Sequence, residues 1–196
     1  MKSGANPNVL LGESKDSTPF MNAIQYQENC DLFYIQTLVK FKADINKKIV
    51  SENRNILSDL YSIPLLAAIS KFSHKRHECL ETVKFLVDSG ADINACIEDS
   101  ASGVCEGVIS RCLHGNSLKA LKYFVIEKKI SIPEKVYVVG QINPKTMKIY
   151  GLSEALNSKK FQYEDFTDKY TGFVDRSDLR NSKEEILNYL KAMEKK

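Results

Sequence analysis

The chain has 196 residues, 43% of them hydrophobic and 27% charged, with 28 basic against 25 acidic side chains. This is the composition of an ordinary folded domain, and a chain of this length buries roughly 70% of its unfolded surface without needing a metal or disulfide staple. A net charge of +3 is too small and too evenly spread to mark a nucleic-acid binder by itself.

No stretch approaches the ~20 apolar residues of a membrane span, and the N-terminal apolar run, Val9 to Leu11, is too short for a secretory core. The five cysteines, Cys30, Cys79, Cys96, Cys105 and Cys112, are odd in number and form no CxxC pair. That pattern predicts reduced thiols and a cytoplasmic protein. It does not decide between action in the protein's own cell and delivery into another.

In chain order, the first element is a turn, Ser3-Gly-Ala-Asn-Pro-Asn8. It returns as Phe41-Lys-Ala-Asp-Ile-Asn46 and as Ser89-Gly-Ala-Asp-Ile-Asn94, with the alanines Ala5, Ala43 and Ala91 spaced 38 and 48 residues apart. A second piece recurs as Thr18-Pro-Phe-Met-Asn-Ala-Ile24 and Ile63-Pro-Leu-Leu-Ala-Ala-Ile69. Pro19 and Pro64 suit the first turn of a helix, where φ is already set and the missing N–H costs nothing. Ala23, Ala67 and Ala68 let a neighbouring helix approach closely. A second helix follows, in which Leu80, Val83, Phe85, Leu86 and Val87 make a broad apolar face. Gly90 then falls where a helix ends in a left-handed residue. Each unit is a helix–turn–helix followed by a finger, and such a unit must stack on its neighbours to bury its face.

These motifs resemble the ankyrin repeat, whose T-P-L-H-x-A-A, V-V-K-x-L-L and G-A-D-x-N pieces match Ile63 to Asn94 well and Thr18 to Asn46 nearly as well. Met21 and Leu66 stand where the family carries His, and Lys42 stands where Gly is expected. A weaker third copy, residues 106–132, has the second-helix face Leu118, Leu121, Tyr123, Phe124 and Val125. It lacks the starting Pro and has Lys128 and Lys129 in place of the turn motif. The resemblance covers residues 1–132: a partial unit 1–8, then units at about 18–46, 63–94 and 106–132. It implies a mainly α fold, a short ankyrin-like solenoid of stacked helix pairs with hairpin fingers. Ser3 to Asn8 would be the tail of a unit whose helices are absent, so the chain is a fragment of a longer array or is capped there by other means, such as a homodimer partner.

Residues 133–196 carry no clear repeat and are expected to form a small mixed α/β C-terminal cap. A hairpin is predicted at about 136–150, around Asn143-Pro144. A terminal helix is predicted at about 183–195, started by the capping box Ser182-Lys-Glu-Glu185, with a stripe of Ile186, Leu187, Leu190 and Met193.

The resemblance implies a non-catalytic adaptor that binds another protein through its concave face and fingers. The 16 residues between Asn46 and Ile63 exceed the roughly 7 of a ~33-residue repeat, and insertions of this kind often lie on the binding face. The candidate partner-binding residues are Gln25, Tyr26, Arg54, Asn55, Asp59, Tyr61, Ser70, Lys71, Leu113 and His114. A dedicated inhibitor or immunity-type protein blocking one enzyme is a narrower form of the same reading. Nucleic-acid binding by the aromatic stretch Phe161 to Phe173, or catalysis in the C-terminal region, is disfavoured. The stretch serves a packed core equally well, and no phosphate loop, HExxH or GxSxG motif is present.

Three places in the chain carry residue types with sharper chemistry. His74-Lys-Arg-His77-Glu-Cys79 holds zinc-type ligands, but Lys75 and Arg76 repel a cation and a solvated basic turn is expected. Cys105 and Cys112 beside His114 would need a positioned base to act as nucleophiles, and read instead as small apolar residues. Asp165, Asp168, Asp175 and Asp178 lie among charged and aromatic neighbours, as exposed carboxylates do. No cofactor and no metal are expected.

Overall fold

The computed structural model describes residues 5–12, 17–26, 30–49, 62–69, 79–98, 105–114, 117–132, 135–138, 148–151, 185–186 and 188–193. These residues are mainly helical. The helices come in three pairs: α1 (Pro19–Gln25) with α2 (Phe33–Lys40), α3 (Pro64–Ile69) with α4 (Leu80–Asp88), and α5 (Val108–His114) with α6 (Leu118–Lys122). The last helix runs on through a π-helical turn, Tyr123–Glu127.

Local chemistry sets the helix starts. α1 opens on Pro19, and the Oγ1 of Thr18 accepts a hydrogen bond from the Met21 N–H at 3.1 Å. This satisfies one of the donors a helix start leaves without a partner. α3 opens on Pro64 with Ile63 in the equivalent place, so no such hydroxyl caps it. Its stability comes from burial: Pro64, Leu65, Leu66, Ala67 and Ile69 are all enclosed. A helix apolar all round belongs in the middle of a stack, and α3 packs against α1, α4 and α5. The first helices thus form one continuous row, α1–α3–α5, and α4 packs against α6 beside it.

The core runs through all three pairs, from Phe20, Met21, Ile24 and Ile35 through Leu65, Leu66, Val83 and Leu86 to Leu121 and Phe124. Among the described residues, Arg111 on α5 is the largest fully enclosed side chain. Leu113 is also core, at 2% exposure.

The second helices end alike. Lys42, Gly90 and Lys129 each have positive φ (65°, 96° and 56°). In the first two pairs, Ala43 N–H donates to the Leu38 carbonyl and Ala91 N–H to the Leu86 carbonyl, both at 2.9 Å. This is the Schellman closure, which needs a left-handed residue just past the helix. In the third pair the π turn widens it, and Ile130 N–H reaches the Phe124 carbonyl at 3.0 Å. Lysine at two of the three positions carries a left-handed strain of about 1 kcal/mol that glycine avoids.

Two short antiparallel pairings complete the description. β1 (Ile97–Glu98) pairs with β2 (Cys105–Glu106). β3 (Lys135–Val138) pairs with β4 (Lys148–Gly151), with Val136 opposite Tyr150, and β3 lies against α5 and β2. Residues 185–186 and 188–193 are helical, and Ile186 and Leu190 join the common core. Met193, placed on the same stripe by the sequence, is 37% exposed. Ser182 of the predicted capping box, the inserted finger 50–61 and the aromatic stretch 161–173 lie outside the described residues.

The expectation of reduced thiols is corrected. Cys30 and Cys79 form a disulfide with Cα atoms 5.3 Å apart, and Cys96 is disulfide-bonded too. Cys112 is not disulfide-bonded and is fully buried in α5. The pairing escaped a reading by spacing because Cys30 and Cys79 are 49 residues apart. Only the stacking of one helix pair on the next brings them together.

Candidate functional site

The recurring turn after each second helix is built from Asx chemistry. Asn6 Oδ1 accepts from the Asn8 N–H, Asp44 Oδ1 from the Asn46 N–H, and Asp92 Oδ1 from the Asn94 N–H, all at 2.9–3.0 Å. Each turn is held by a side chain that mimics a backbone turn. Asn6 therefore does for the first turn what Asp44 and Asp92 do for the others.

Consecutive turns are then stapled together by asparagine. Asn8 Nδ2 donates to the Lys42 carbonyl at 3.1 Å, while its Oδ1 accepts from the Asp44 N–H at 2.7 Å. Asn46 repeats the pattern one unit on, donating to the Gly90 carbonyl at 3.0 Å and accepting from the Asp92 N–H at 2.8 Å. The carboxamide supplies donor and acceptor together, whereas an ionised aspartate is an acceptor only and could not replace it. Lys47 Nζ adds a 2.7 Å bond to the Asn8 carbonyl. Further in, the buried Ser117 Oγ donates to the Ile69 carbonyl at 2.9 Å and ties α6 to the end of α3.

A different arrangement joins α4 to the third pair. The buried Tyr123 ring lies between two ammonium groups, Lys84 Nζ at 5.4 Å and Lys128 Nζ at 5.3 Å from its centroid. Each lysine also meets a carboxylate across the helices: Lys84 with Glu127 at 3.7 Å, and Lys128 with Asp88 at 3.6 Å. The Tyr123 hydroxyl beside Lys128 does most to hold its pKa above the ordinary 10.5, with Asp88 adding to it and partial desolvation opposing. Lys122 lies over the ring of Tyr189 at 5.5 Å, where burial pushes the phenol upward.

Of the residues expected to meet a partner, Tyr26 caps the end of α1 at 76% exposure and Gln25 precedes it, half-buried. His114 closes α5. Leu113 is corrected to a core position, because the inward turn of α5 leaves it no surface to offer. Arg54, Asn55, Asp59, Tyr61, Ser70 and Lys71 lie outside the described residues. Cys79, set aside from the sequence as a zinc ligand, has its sulfur bonded to Cys30. The nucleophile reading of Cys112 fails on its complete burial. Among the described residues, no group of three or more His, Cys, Asp or Glu side chains could hold a metal, and no helix is long and apolar enough to cross a membrane.

Sequence reasoning missed an exposed aromatic face on α2. Phe33 (64% exposed) and Tyr34 (67%) pack edge to face at 5.4 Å, and Phe41 (42%) lies two turns on. The signal was present, because Phe33-Tyr34 interrupts an otherwise ordinary apolar periodicity.

Three stacked helix pairs with stapled turns define a repeat protein. Residues 62–97 match the family model for the ankyrin repeat. The unit matched is the α3–α4 pair with its turn, and the match supports an ankyrin-repeat protein. Neither a curated protein nor a solved structure matches it. Ankyrin repeats are generally protein-interaction modules.

Proposed function

We propose that residues 5–132 form a short ankyrin-like solenoid, closed at its far end by the C-terminal region, and that the protein is a non-catalytic adaptor for another protein. The observation that carries this reading is the stapled series of turns at Asn8 and Asn46 over a continuous row of first helices. Such a surface is ordered before a partner arrives, which lowers the entropic cost of binding. The burial of Ile186 and Leu190 against the common core supports the capping role. Tyr26 is the anchor we assign from the described residues, with Arg54 and Tyr61 from the inserted finger, since Arg and Tyr dominate interface energetics. A dedicated inhibitor of one enzyme would use the same surface.

The test is capture of a partner followed by titration of the purified pair. Tyr26→Ala, or Arg54→Ala with Tyr61→Ala, should weaken the pair by more than about 1 kcal/mol without changing the melting temperature. Equal affinity for all variants would remove this surface from the account. The aromatic face of α2 favours a second use, pairing of two copies at the N-terminal side. Sedimentation of wild type and Phe33→Ser with Tyr34→Ser decides it: a dimer lost in the variant supports pairing, and a monomer at all concentrations dismisses it.

A further inference from the structure

We infer that the Cys30–Cys79 disulfide is an exchangeable redox clamp between the first two helix pairs, opened by a dithiol reductant of the thioredoxin class. Cys30 lies between α1 and α2, and Cys79 is the N-cap of α4, so the bond ties the inter-helix connection of one pair to that of the next. Both residues are half-buried rather than sealed, Cys30 in the α1–α2 connection and Cys79 at the start of α4, where a reductant can approach. Cys112, by contrast, is sealed in α5. Susceptibility to exchange follows access.

What makes the bond a clamp is that the packing beneath it does not depend on it. Phe20, Met21 and Ile24 of α1 meet the buried α3 residues Leu65, Leu66 and Ile69 in one core, whether or not the sulfurs are joined. The Asn46 staple also joins the same two pairs by a separate route. Opening the bond therefore frees two connections and leaves the helices stacked. Cys30 is also held at φ 57°, a conformation costly for a residue with a Cβ. Release lets it leave that region.

The exchange balances simply. A thiolate of the reductant attacks one bridge sulfur, and the other leaves as a thiolate and takes a proton. The reductant's second thiol then attacks the mixed disulfide, releasing the remaining cysteine as a thiol. Two electrons and two protons pass from the dithiol to the bridge. In a reducing cytoplasm, the address proposed from the sequence, the clamp stands open; in an oxidising compartment it is closed.

The experiment uses the full chain treated with reduced thioredoxin and then alkylated without denaturant. We expect Cys30 and Cys79 to be labelled, the far-UV helical signal to persist at 25 °C, and the melting temperature to fall by about 10 °C. The variant Cys30→Ser with Cys79→Ser, which keeps the disulfide at Cys96, should start at the lower melting temperature, and its own change on reduction, subtracted from that of wild type, isolates the Cys30–Cys79 bond. Labelling that requires denaturant would make the bond a permanent staple and overturn the inference. So would loss of helicity on reduction, or an unchanged melting temperature in both wild type and variant.

Discussion

Between the first and second helix pairs, the ties run through connections and turns: the Asn46 carboxamide on Gly90 and Asp92, and the Cys30–Cys79 bond. Between the second and third pairs, they run across helix faces. There Tyr123 lies between Lys84 and Lys128, each lysine meets a carboxylate, and Ser117 reaches into the core to the Ile69 carbonyl. At both junctions first helices pack on one another, α1 on α3 and α3 on α5, and the two differ in what fastens them. A repeat can therefore hold its stacking constant while the fastening drifts, because stacking is set by the apolar row and fastening by a few polar side chains.

The difference can be broken at several strengths. Leu66 is fully enclosed in α3, the helix that packs on both α1 and α5, so Leu66→Ala should cost about 3 kcal/mol in urea unfolding. Removing the bridge by Cys30→Ser with Cys79→Ser frees a 49-residue separation in the unfolded chain and should cost up to about 4 kcal/mol. Asn46→Asp keeps the acceptor but sets an anion against the Gly90 carbonyl, and should cost about 1 kcal/mol at neutral pH. Lys42→Gly relieves the left-handed strain and should stabilise the first pair by about 1 kcal/mol; Gly90→Ala should destabilise by a similar amount, from backbone strain alone, since an added Cβ meets no atom within 4 Å. Glu127→Gln should cost under about 0.5 kcal/mol and vanish in high salt, because both partners are solvent-exposed.

The smallest effect is one of pH. Lys128 and Tyr189 both have raised pKa values in the folded chain, so the folded state holds its protons more tightly. Their contribution is complete below the ordinary values of 10.5 and 10.0, and is lost as pH rises through the folded ones. Stability should fall slightly faster above about pH 10 in wild type than in Tyr189→Phe.

Much of this was legible in the chain. Pro19 and Pro64 marked helix starts because proline fixes φ, and the glycine at 90 marked an end because glycine takes the left-handed φ found there. The repeated Asp–x–Asn pieces were visible too, but not their function, since a staple exists only when the next unit stacks alongside. The same reason hid the disulfide. Leu113 was misplaced because its neighbour His114 suggested a turn, whereas α5 runs to His114 and carries Leu113 inward. The buried Arg111 had no sequence signal, since arginine at a helix position reads as surface until the packing is known.

The claim that the two junctions are fastened differently is tested most directly by amide hydrogen exchange on a variant combining Asn46→Ala, Cys30→Ser and Cys79→Ser. The account predicts faster exchange at the Asp92 amide, which loses its Asn46 acceptor, and along α1 and α2, with α4 and α6 keeping their protection against each other. Equal loss of protection across all six helices, or none anywhere, would contradict it.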